Sequence, residues 1–262
     1  MPTSLRSAPV FAPVFAPVLL ALCTALAAGG VSAQSATQPA AASSAQAGPY
    51  AAAINSPIRN GDDRKDDDRR KPAEFLAFAQ VKPGMKAFDL VSAGGSTAAL
   101  LTAAVGPKGE VWAQNTKPNA KLGERLADNT VANLHAVVSS FDDPIPKGTP
   151  PLDLITINMN YHDIVNTPTD RAAMNKHLFD ALKPGGHVVV IDNAAKKGSG
   201  LSATKTLHRI DEDSVVEEFT RAGFKVDAKS DYLRAPSDPR DQPFFKMNGA
   251  PDDKFALRFV KP

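Results

Sequence analysis

The sequence is almost free of cysteine, which excludes disulfide and thiol chemistry from most of the chain. Cys23 is the one cysteine in 262 residues. Residues 34–262 therefore contain no thiol, and we expect neither a disulfide framework nor a reactive cysteine there. This part of the chain must be stabilised by its apolar core, and a hydrophobic fraction of 43% suits one domain of ordinary size.

An excess of charge of either sign is also missing. Lysine and arginine number 30 against 28 aspartates and glutamates, giving a formal net charge of +2 at pH 7. A nucleic-acid-binding domain usually carries a clear basic excess. We therefore predict no nucleic-acid partner, and the composition leaves the oligomeric state open.

The amino terminus lacks an apolar run long enough to cross a membrane. Residues 18–28 are apolar but fall short of the roughly 20 residues that a transmembrane helix needs. Arg6 is the only charged residue before Gln34, and Val31-Ser32-Ala33 is an A-x-A-like cleavage site. This pattern predicts a signal peptide over residues 1–33. The protein is then periplasmic or secreted, with no stable membrane span after cleavage; an uncleaved membrane anchor is the alternative.

Two further segments come before the predicted strands. Residues 34–55 are rich in alanine, serine and glutamine without periodicity, which predicts a disordered linker. The folded domain is expected over residues 56–262. Its first part, residues 56–71, is an arm dense in charges of both signs. This pattern favours a solvated surface, and an arm lying over the domain is the second interpretation.

Apolar runs that suit buried strands alternate with helical patterns through the domain. The alternation predicts an α/β fold with a mostly parallel, Rossmann-like sheet and helices on both faces. A Lys-Pro-Gly-Gly stop at residues 183–186 is expected to precede the fifth strand. The predicted strands are residues 86–91, 110–113, 134–138, 152–158, 187–191, 224–228 and 255–260.

The first strand leads into a glycine turn and then a helical pattern at residues 97–105. Strand, glycine turn and helix together place backbone amides and a positive helix end beside a ligand. Gly94 and Gly95 permit positive φ and a close approach of that ligand. Asp89, at the strand end, can accept hydrogen bonds from a ligand or from the amides of the turn. A tight turn without a ligand is the alternative, because glycine-turn matches are weakly specific.

The order of these elements resembles the class I S-adenosylmethionine-dependent methyltransferases over residues 56–262. Motifs at five places in the sequence carry the resemblance: 81–90, 94–95, 105–109, 182–186 and 222–224. The chain is similar, more narrowly, to a group of exported bacterial predicted methyltransferases. The marks of that group stand at residues 68–74, 161–163 and 206–212. The resemblance implies a seven-stranded methyltransferase sheet whose last strand is antiparallel, and S-adenosylmethionine as cofactor.

The resemblance also implies which residues bind that cofactor. Ser92, Ala93, Gly94 and Gly95 are expected to line its methionine part. The residue after strand two, Asn115 or else Gln114, is expected to hold the ribose hydroxyls. The remaining predicted cofactor residues are Phe141 and Asp142, flanking the adenine, with Asp89 and Asn158 at the ends of strands one and four.

Tyr161-His162-Asp163 is the predicted catalytic group. His162 is the candidate general base, because an imidazole titrates near neutrality. Asp163 or Asp211 would orient it, and Tyr161 could pack on the substrate or on the sulfonium cation. The alternative is a turn in which Asp163 caps a helix. For His208 and Asp211, a satisfied polar pair before the next helix is an equal alternative.

A metal site is not predicted. Asp192-Asn193 resembles the Asp-Asn pair of cation-dependent catechol-type O-methyltransferases. Those enzymes have a further Asp after strand four, where this chain has Asn158. A single carboxylate is little support for Mg²⁺, which usually binds through one or two carboxylates and waters.

Two departures from the family pattern keep a second function open. Val91 and Ala93 stand where the first loop usually has glycines, and Asn115 stands where an acidic ribose partner is usual. The charge-assisted bond from such an acid is roughly twice as strong as a neutral one. The main hypothesis is an exported methyltransferase acting on an unknown small-molecule or envelope acceptor. The second is a non-catalytic binding protein with this fold. A hydrolase using His162 and His208 ranks last, because the sequence has no Gly-x-Ser-x-Gly elbow.

Overall fold

The computed structural model describes residues 48–128 and 131–262. The predicted signal peptide and residues 34–47 of the predicted linker lie outside the described residues, so both stay predictions. Within the part that is described, no helix is both long and apolar enough to cross a membrane.

Seven strands form a single sheet in the order β3-β2-β1-β4-β5-β7-β6. Strand β7 pairs antiparallel with β5 and β6, and the other neighbouring strands pair in parallel. The predicted fold, including its antiparallel last strand, is therefore confirmed. The strands are β1 (Lys86–Leu90), β2 (Glu110–Asn115), β3 (Leu134–Val138), β4 (Leu152–Asn158), β5 (Leu182–Asn193), β6 (Lys225–Ser230) and β7 (Lys254–Val260).

Helices cover both faces of this sheet. In chain order they are α1 (Ala51–Ile54), α2 (Gly61–Lys65), α3 (Asp67–Arg70), α4 (Pro72–Phe78), α5 (Ser96–Val105), α6 (Ala120–Asp128), α7 (Tyr161–Val165), α8 (Arg171–Ala181), α9 (Thr204–Leu207) and α10 (Glu212–Arg221). Two 3₁₀ turns, Gly48–Tyr50 and Phe244–Lys246, complete the described elements.

The core has two layers because side chains alternate along each strand. Ala87 packs on one face of the sheet, in a cluster with Leu101 of α5. Its neighbour Phe88 packs on the other face, in a cluster with Leu178 of α8 and Phe219 of α10. Both faces of the central strands are therefore buried, which explains why these strands are continuous apolar runs in the sequence.

The strand order places a binding crevice beside β1. The chain runs outward from β1 to β2 and β3, and then returns to form β4 on the other side of β1. In open parallel sheets, ligands bind at such a switch point, outside the carboxyl ends of the strands. The ends of β1 and β4 are thus the expected floor of a site.

Helix α8 ends at Ala181, in agreement with the predicted stop, but the predicted start of the fifth strand at residue 187 is wrong, because β5 follows α8 directly and begins at Leu182. Leu182 pairs with Leu152 of β4. On the other side, Gly185 N donates to Lys261 O at 2.8 Å and Lys261 N donates to Gly186 O at 2.9 Å. The glycines continue the sheet because the end of the chain supplies their hydrogen-bond partners.

The linker prediction is wrong for residues 48–55, where the chain forms a 3₁₀ turn and helix α1. The Tyr50 hydroxyl donates to Val81 O at 3.1 Å. Ala53 is buried, and α1 packs against α5. An alanine-rich composition without periodicity predicts disorder, yet its small side chains also let a short helix pack closely on the domain.

The charged arm lies over the domain instead of standing in solvent. Arg125 of α6 donates from Nη1 and Nη2 to the two carboxylate oxygens of Asp63 at 2.8 and 2.9 Å. The two side chains are 5% and 4% exposed. Asp63 also forms a reciprocal capping box with Asn60 at the start of α2. The favoured solvated interpretation of the arm is therefore wrong for this residue, because its charge is neutralised by a partner distant in sequence.

Replacing Asp63 with alanine should destabilise the domain by about 3–5 kcal/mol, because it removes the carboxylate that binds the buried Arg125 guanidinium through two hydrogen bonds. The matched control is Asp62→Ala, the neighbouring residue on α2, which pairs with Lys65 in solvent. It should hardly move the midpoint of urea unfolding. Equal midpoints for the two variants would contradict a buried, structural role for the arm.

Candidate functional site

A cavity of about 860 Å³ opens at the carboxyl ends of β1 and β4. Its floor is the turn after β1, and its walls come from the arm, from α6, from the segment after β4, and from His208 and Phe244. A volume of roughly 300–1,000 Å³ is usual for small-molecule sites. The switch point of the sheet is therefore a site of the size that a small molecule or cofactor needs.

The turn after β1 keeps a left-handed backbone at three places. Val91 has φ of 58°, Ala93 has φ of 49° and Gly95 has φ of 81°. Such angles are strained for a β-branched residue such as valine. At Gly95 an added Cβ would also lie 2.8 Å from Leu122 Cδ1, so this buried leucine would have to shift. The loop therefore keeps the shape that glycines would permit, although two of its residues carry side chains.

Amide side chains at the end of β2 hold this turn. Gln114 Oε1 accepts from Val91 N at 3.2 Å, and the Gln114 carbonyl accepts from Ser92 N at 2.8 Å. Asn115 Oδ1 accepts from Ala93 N at 2.9 Å, and its Nδ2 donates to Ala93 O at 3.1 Å. The structure therefore gives Asn115 a different part from the predicted ribose contact, because its amide is used to brace the turn. Asn115 is also not among the lining residues of the cavity.

Two buried polar atoms of the cavity floor, on Asp89 and Ser92, have no partner that meets hydrogen-bond distance and angle among the described residues. Asp89 is 1% exposed, and its Oδ1 accepts from Thr156 Oγ1 at 2.7 Å. Asp89 Oδ2 and Ser92 Oγ find no hydrogen-bond partner among the described residues. Both residues line the cavity, together with Ala93, Gly94 and Asn158. An unpaired buried acceptor costs free energy, so these groups fit a ligand that brings hydrogen-bond donors, such as an ammonium group.

Burial raises the pKa of Asp89 from 3.8 to about 6. A carboxyl with a raised folded-state pKa binds its proton more tightly in the folded chain. Its ionisation therefore destabilises the fold progressively between about pH 4 and pH 6, and fully above pH 6. Asp89→Asn should raise the free energy of unfolding by about 3 kcal/mol at pH 8, with the gain vanishing below about pH 4.

Urea unfolding at pH 4, 6 and 8 checks this prediction. Asp241→Asn removes an exposed carboxyl and serves as the control, with no comparable pH dependence expected. A gain in stability that is the same at all three pH values would show that ionisation of Asp89 does not penalise the fold.

His162 and Asp163 of the predicted catalytic group line the cavity. His162 is buried, and its Nδ1 lies 2.6 Å from Asp192 Oδ1 while its Nε2 lies 3.3 Å from Asp163 Oδ1. Burial alone lowers the pKa of an imidazole, but the two carboxylates outweigh it and raise the pKa of His162 to about 10. The imidazole is then protonated at neutral pH, which argues against the predicted role of general base. Asp192, and not Asp211, orients the ring together with Asp163.

Tyr161 does not reach the cavity. Its hydroxyl donates to Glu218 Oε2 at 2.6 Å and accepts from Asn175 Nδ2 at 2.9 Å. Its ring is buried against Phe219 of α10, with ring centroids 5.5 Å apart. The predicted contact with the substrate or the sulfonium is therefore wrong, because α7 turns Tyr161 into the core and His162 towards the cavity.

Phe141 and Asp142 also lie away from the lining residues of the cavity. Phe141 packs against the core on the side of α8 and α10. Asp142 Oδ1 accepts from Asp170 N at 2.8 Å, which ties this loop to the start of α8. The structure thus brings Asp89, Ser92, Ala93, Gly94, Asn158, His162 and Asp163 to one cavity. Five predicted site residues are not among its lining residues: Gly95, Asn115, Phe141, Asp142 and Tyr161.

Comparison with known proteins identifies the family. The model of the ubiE/COQ5 methyltransferase family matches residues 69–208, more than half of the chain. The chain belongs to the ubiE/COQ5 methyltransferase family. The matched segment begins in the arm, contains the glycine turn and ends at His208, so it carries much of the cavity.

Curated relatives match over a similar part of the chain. The Ubiquinone/menaquinone biosynthesis C-methyltransferase UbiE of Shewanella woodyi is 29% identical over 124 residues, which cover 47% of this chain and 48% of the relative. The protein of the same name from Cupriavidus metallidurans is 28% identical over 119 residues, covering 45% and 46%. The chain thus spans about half the length of the curated relatives that it matches.

Solved structures share the fold. A SAM dependent methyltransferase from Aquifex aeolicus superposes with a TM-score of 0.57 at 18% identity, covering 75% of this chain and 93% of that one. An S-adenosylmethionine dependent methyltransferase from Mesorhizobium loti gives a TM-score of 0.53 at 12% identity, covering 71% and 95%. The predicted methyltransferase family is therefore confirmed by the family model, and the predicted class I methyltransferase fold by these structures.

Several residues of this family member's cavity were not predicted from the sequence. They are Arg69 and Arg70 of the arm, Arg125 of α6, and Phe244 from the segment between β6 and β7, whereas His208 was expected in the pocket only under the hydrolase hypothesis. The predicted polar pair of His208 with Asp211 is wrong: Asp211 caps α10, and His208 Nδ1 lies 3.3 Å from Asp163 Oδ1. The dense charges of the arm can be seen in the sequence, but the neighbouring residues do not show which of these side chains line the cavity.

Proposed function

We propose that this chain transfers a methyl group from S-adenosylmethionine to an acceptor that binds beside His162 and Asp163. The observation that carries the proposal is the cavity at the ends of β1 and β4, whose floor combines the family's glycine turn with the unpaired Asp89 Oδ2 and Ser92 Oγ. When bound, S-adenosylmethionine supplies an electrophilic methyl group on a sulfonium sulfur.

The cavity lining suits a zwitterionic cofactor. The lining contains acidic side chains, among them Asp62 and Asp128, and basic ones, among them Arg69 and Lys121. Asp89 and Ser92 would accept hydrogen bonds from the ammonium group of the methionine part. Gly94 lines the cavity and would lie beside this part, while Gly95 would contribute by shaping the turn, because its backbone is left-handed.

Catalysis by this chain would rest mainly on alignment of the acceptor with the methyl group. Without a bound metal ion, His162, held between Asp163 and Asp192, is protonated at neutral pH and is therefore not free to take a proton. Asp163 is half-exposed to the cavity, and contact with His162 lowers its pKa, so it stays ionised. The site therefore favours acceptors that ionise readily or that need no deprotonation.

Calorimetric titration of the chain with S-adenosylmethionine and its demethylated product tests this proposal. We expect binding in the micromolar range, weakened at least about tenfold by Gly95→Ala, because the added Cβ meets Leu122 at 2.8 Å and the backbone φ is 81°. The control is Gly123→Ala in α6, where an added Cβ meets nothing within 4 Å.

The outcomes of this titration separate the two functions left open by the sequence. Micromolar binding that depends on Gly95 supports the methyltransferase and justifies a screen of acceptors. No binding at millimolar cofactor, with both variants folded by circular dichroism, would contradict the proposal and favour the non-catalytic binding protein.

We further propose that the protein is exported, and that its acceptor is a small molecule or a component of the cell envelope. Support comes from the sequence alone: Arg6, the apolar residues 18–28 and the cleavage site before Gln34. Expression of the full chain in a Gram-negative host should yield a periplasmic form whose amino terminus is Gln34 by mass spectrometry.

Two variants sharpen this localisation test. Ala33→Leu places a large residue at the predicted cleavage site and should leave the signal segment attached, whereas Ala36→Leu lies beyond the site and should change nothing. Intact chain confined to the cytoplasm would contradict export.

A further inference from the structure

Two imidazoles and one carboxylate converge on one side of the cavity. His162 Nε2 and His208 Nδ1 each lie 3.3 Å from Asp163 Oδ1. Ligand atoms from the three side chains all lie within 4.8 Å of one another. In a tetrahedral zinc site with bonds of about 2.0–2.1 Å, ligand atoms lie about 3.3–3.4 Å apart. The two contacts to Asp163 already have the spacing of neighbouring ligands around such an ion.

The carboxylate of Asp192 is placed as the outer partner of a metal-binding histidine. It is fully buried, with Oδ1 2.6 Å from His162 Nδ1, and its Oδ2 accepts from the His162 amide at 2.9 Å. Histidine ligands of metals usually donate their second ring nitrogen to a carboxylate in this way. Asp192 fixes the ring so that Nε2 faces the cavity, Asp163 and His208.

We propose that His162, Asp163 and His208 bind one divalent transition-metal ion, with an open coordination position facing the cavity. Three protein ligands and one open position are the pattern of catalytic zinc sites. Two histidines with one carboxylate also suit iron(II). Two nitrogen ligands disfavour Mg²⁺ and Ca²⁺, which prefer oxygen.

Charge and surroundings fit such an ion. Asp163 and Asp192 together carry a charge of −2, which one divalent ion balances when both imidazoles are neutral. Asn193 lines the same cavity, and its buried Oδ1 has no hydrogen-bond partner among the described residues, so it is an available acceptor for a metal-bound water. The ring of Phe245 lies 5.6 Å from that of His208 and supplies an apolar outer side.

This site differs from the Mg²⁺ site of the cation-dependent O-methyltransferases, whose Asp-Asn pair Asp192-Asn193 resembles. Asp192 does not face the cavity as a direct ligand, because both of its oxygens are bonded to His162. His162 and His208 are the direct ligands instead. They stand 46 positions apart in the chain, so no short sequence motif marks the site. The metal site itself does not depend on methyl transfer. Its use to hold an ionised oxygen or sulfur of the acceptor rests on the proposed function.

Metal content and titration of the full chain, purified without a histidine tag, test this inference. Zn²⁺ and, under anaerobic conditions, Fe²⁺ are titrated by calorimetry, and Co²⁺ is added as a spectroscopic probe whose visible absorption reports the ligand geometry. We expect one equivalent to bind. His208→Asn, which tolerates the left-handed backbone at this position (φ of 52°), should weaken binding at least about a hundredfold. Asp163→Asn should do the same.

The matched control is His177→Asn. His177 also pairs with a carboxylate, Asp143, at 3.4 Å on the surface of α8, but it has no place in the cavity cluster. One equivalent lost in both cluster variants and kept in His177→Asn supports the site, and the tighter of Zn²⁺ and Fe²⁺ names the ion. Absence of binding by all three metals, or binding unchanged in folded His208→Asn, overturns it. Because no cofactor is added, this result is independent of the titration with S-adenosylmethionine.

Discussion

One buried guanidinium joins three parts of the chain that form the cavity. Arg125 of α6 binds the Asp63 carboxylate and the Ile58 carbonyl of the arm, and its Nε donates to the Gly94 carbonyl at 3.1 Å. The arm, a helix and the glycine turn are thereby fixed relative to one another. A buried ion pair is not by itself evidence of net stability, since both charges lose their hydration. Its effect here is geometric: it sets the wall of the cavity against its floor.

The sheet was predictable from the sequence because its central strands are buried on both faces. The bounds of β3 and β4 agree with the prediction, since an apolar run and a flanking turn mark each of them. The start of β5 could not be predicted, because residues 183–186 have the composition of a turn. They join the sheet only because Lys261, from the end of the chain, pairs with them. Local composition carries no information about such a partner.

The residues of the candidate site likewise divide into those that the sequence predicts and those that only the packing decides. Asp89, Ser92 and Asn158 line one cavity, because the strand order brings the carboxyl ends of β1 and β4 together. Tyr161 and His162 were both predicted to belong to the catalytic group, although consecutive residues of a helix point about 100° apart. Only packing against Phe219 decides that Tyr161 is the one that turns into the core.

Contributions that lower the stability of the fold are concentrated at the end of β1 and in the turn that follows it. Val91 and Ala93 adopt left-handed backbone angles, at about 1–3 kcal/mol each. Ionised Asp89 adds about 3 kcal/mol more at neutral pH. The sum is comparable to the whole net stability of a domain, about 5–15 kcal/mol. The bonds from Gln114, Asn115 and Arg125 offset part of it, yet Asp89 Oδ2 and Ser92 Oγ stay unpaired within the described structure.

Strain of this kind persists where the surrounding structure enforces it, and it clusters where ligands bind. A turn that served only to connect β1 with α5 would need neither a buried carboxylate nor left-handed valine and alanine. A ligand that donates hydrogen bonds to Asp89 and Ser92 recovers part of the unfavourable free energy when it binds. The loss of two glycines from the turn is therefore compatible with a working cofactor site, because the backbone shape has been kept by other contacts.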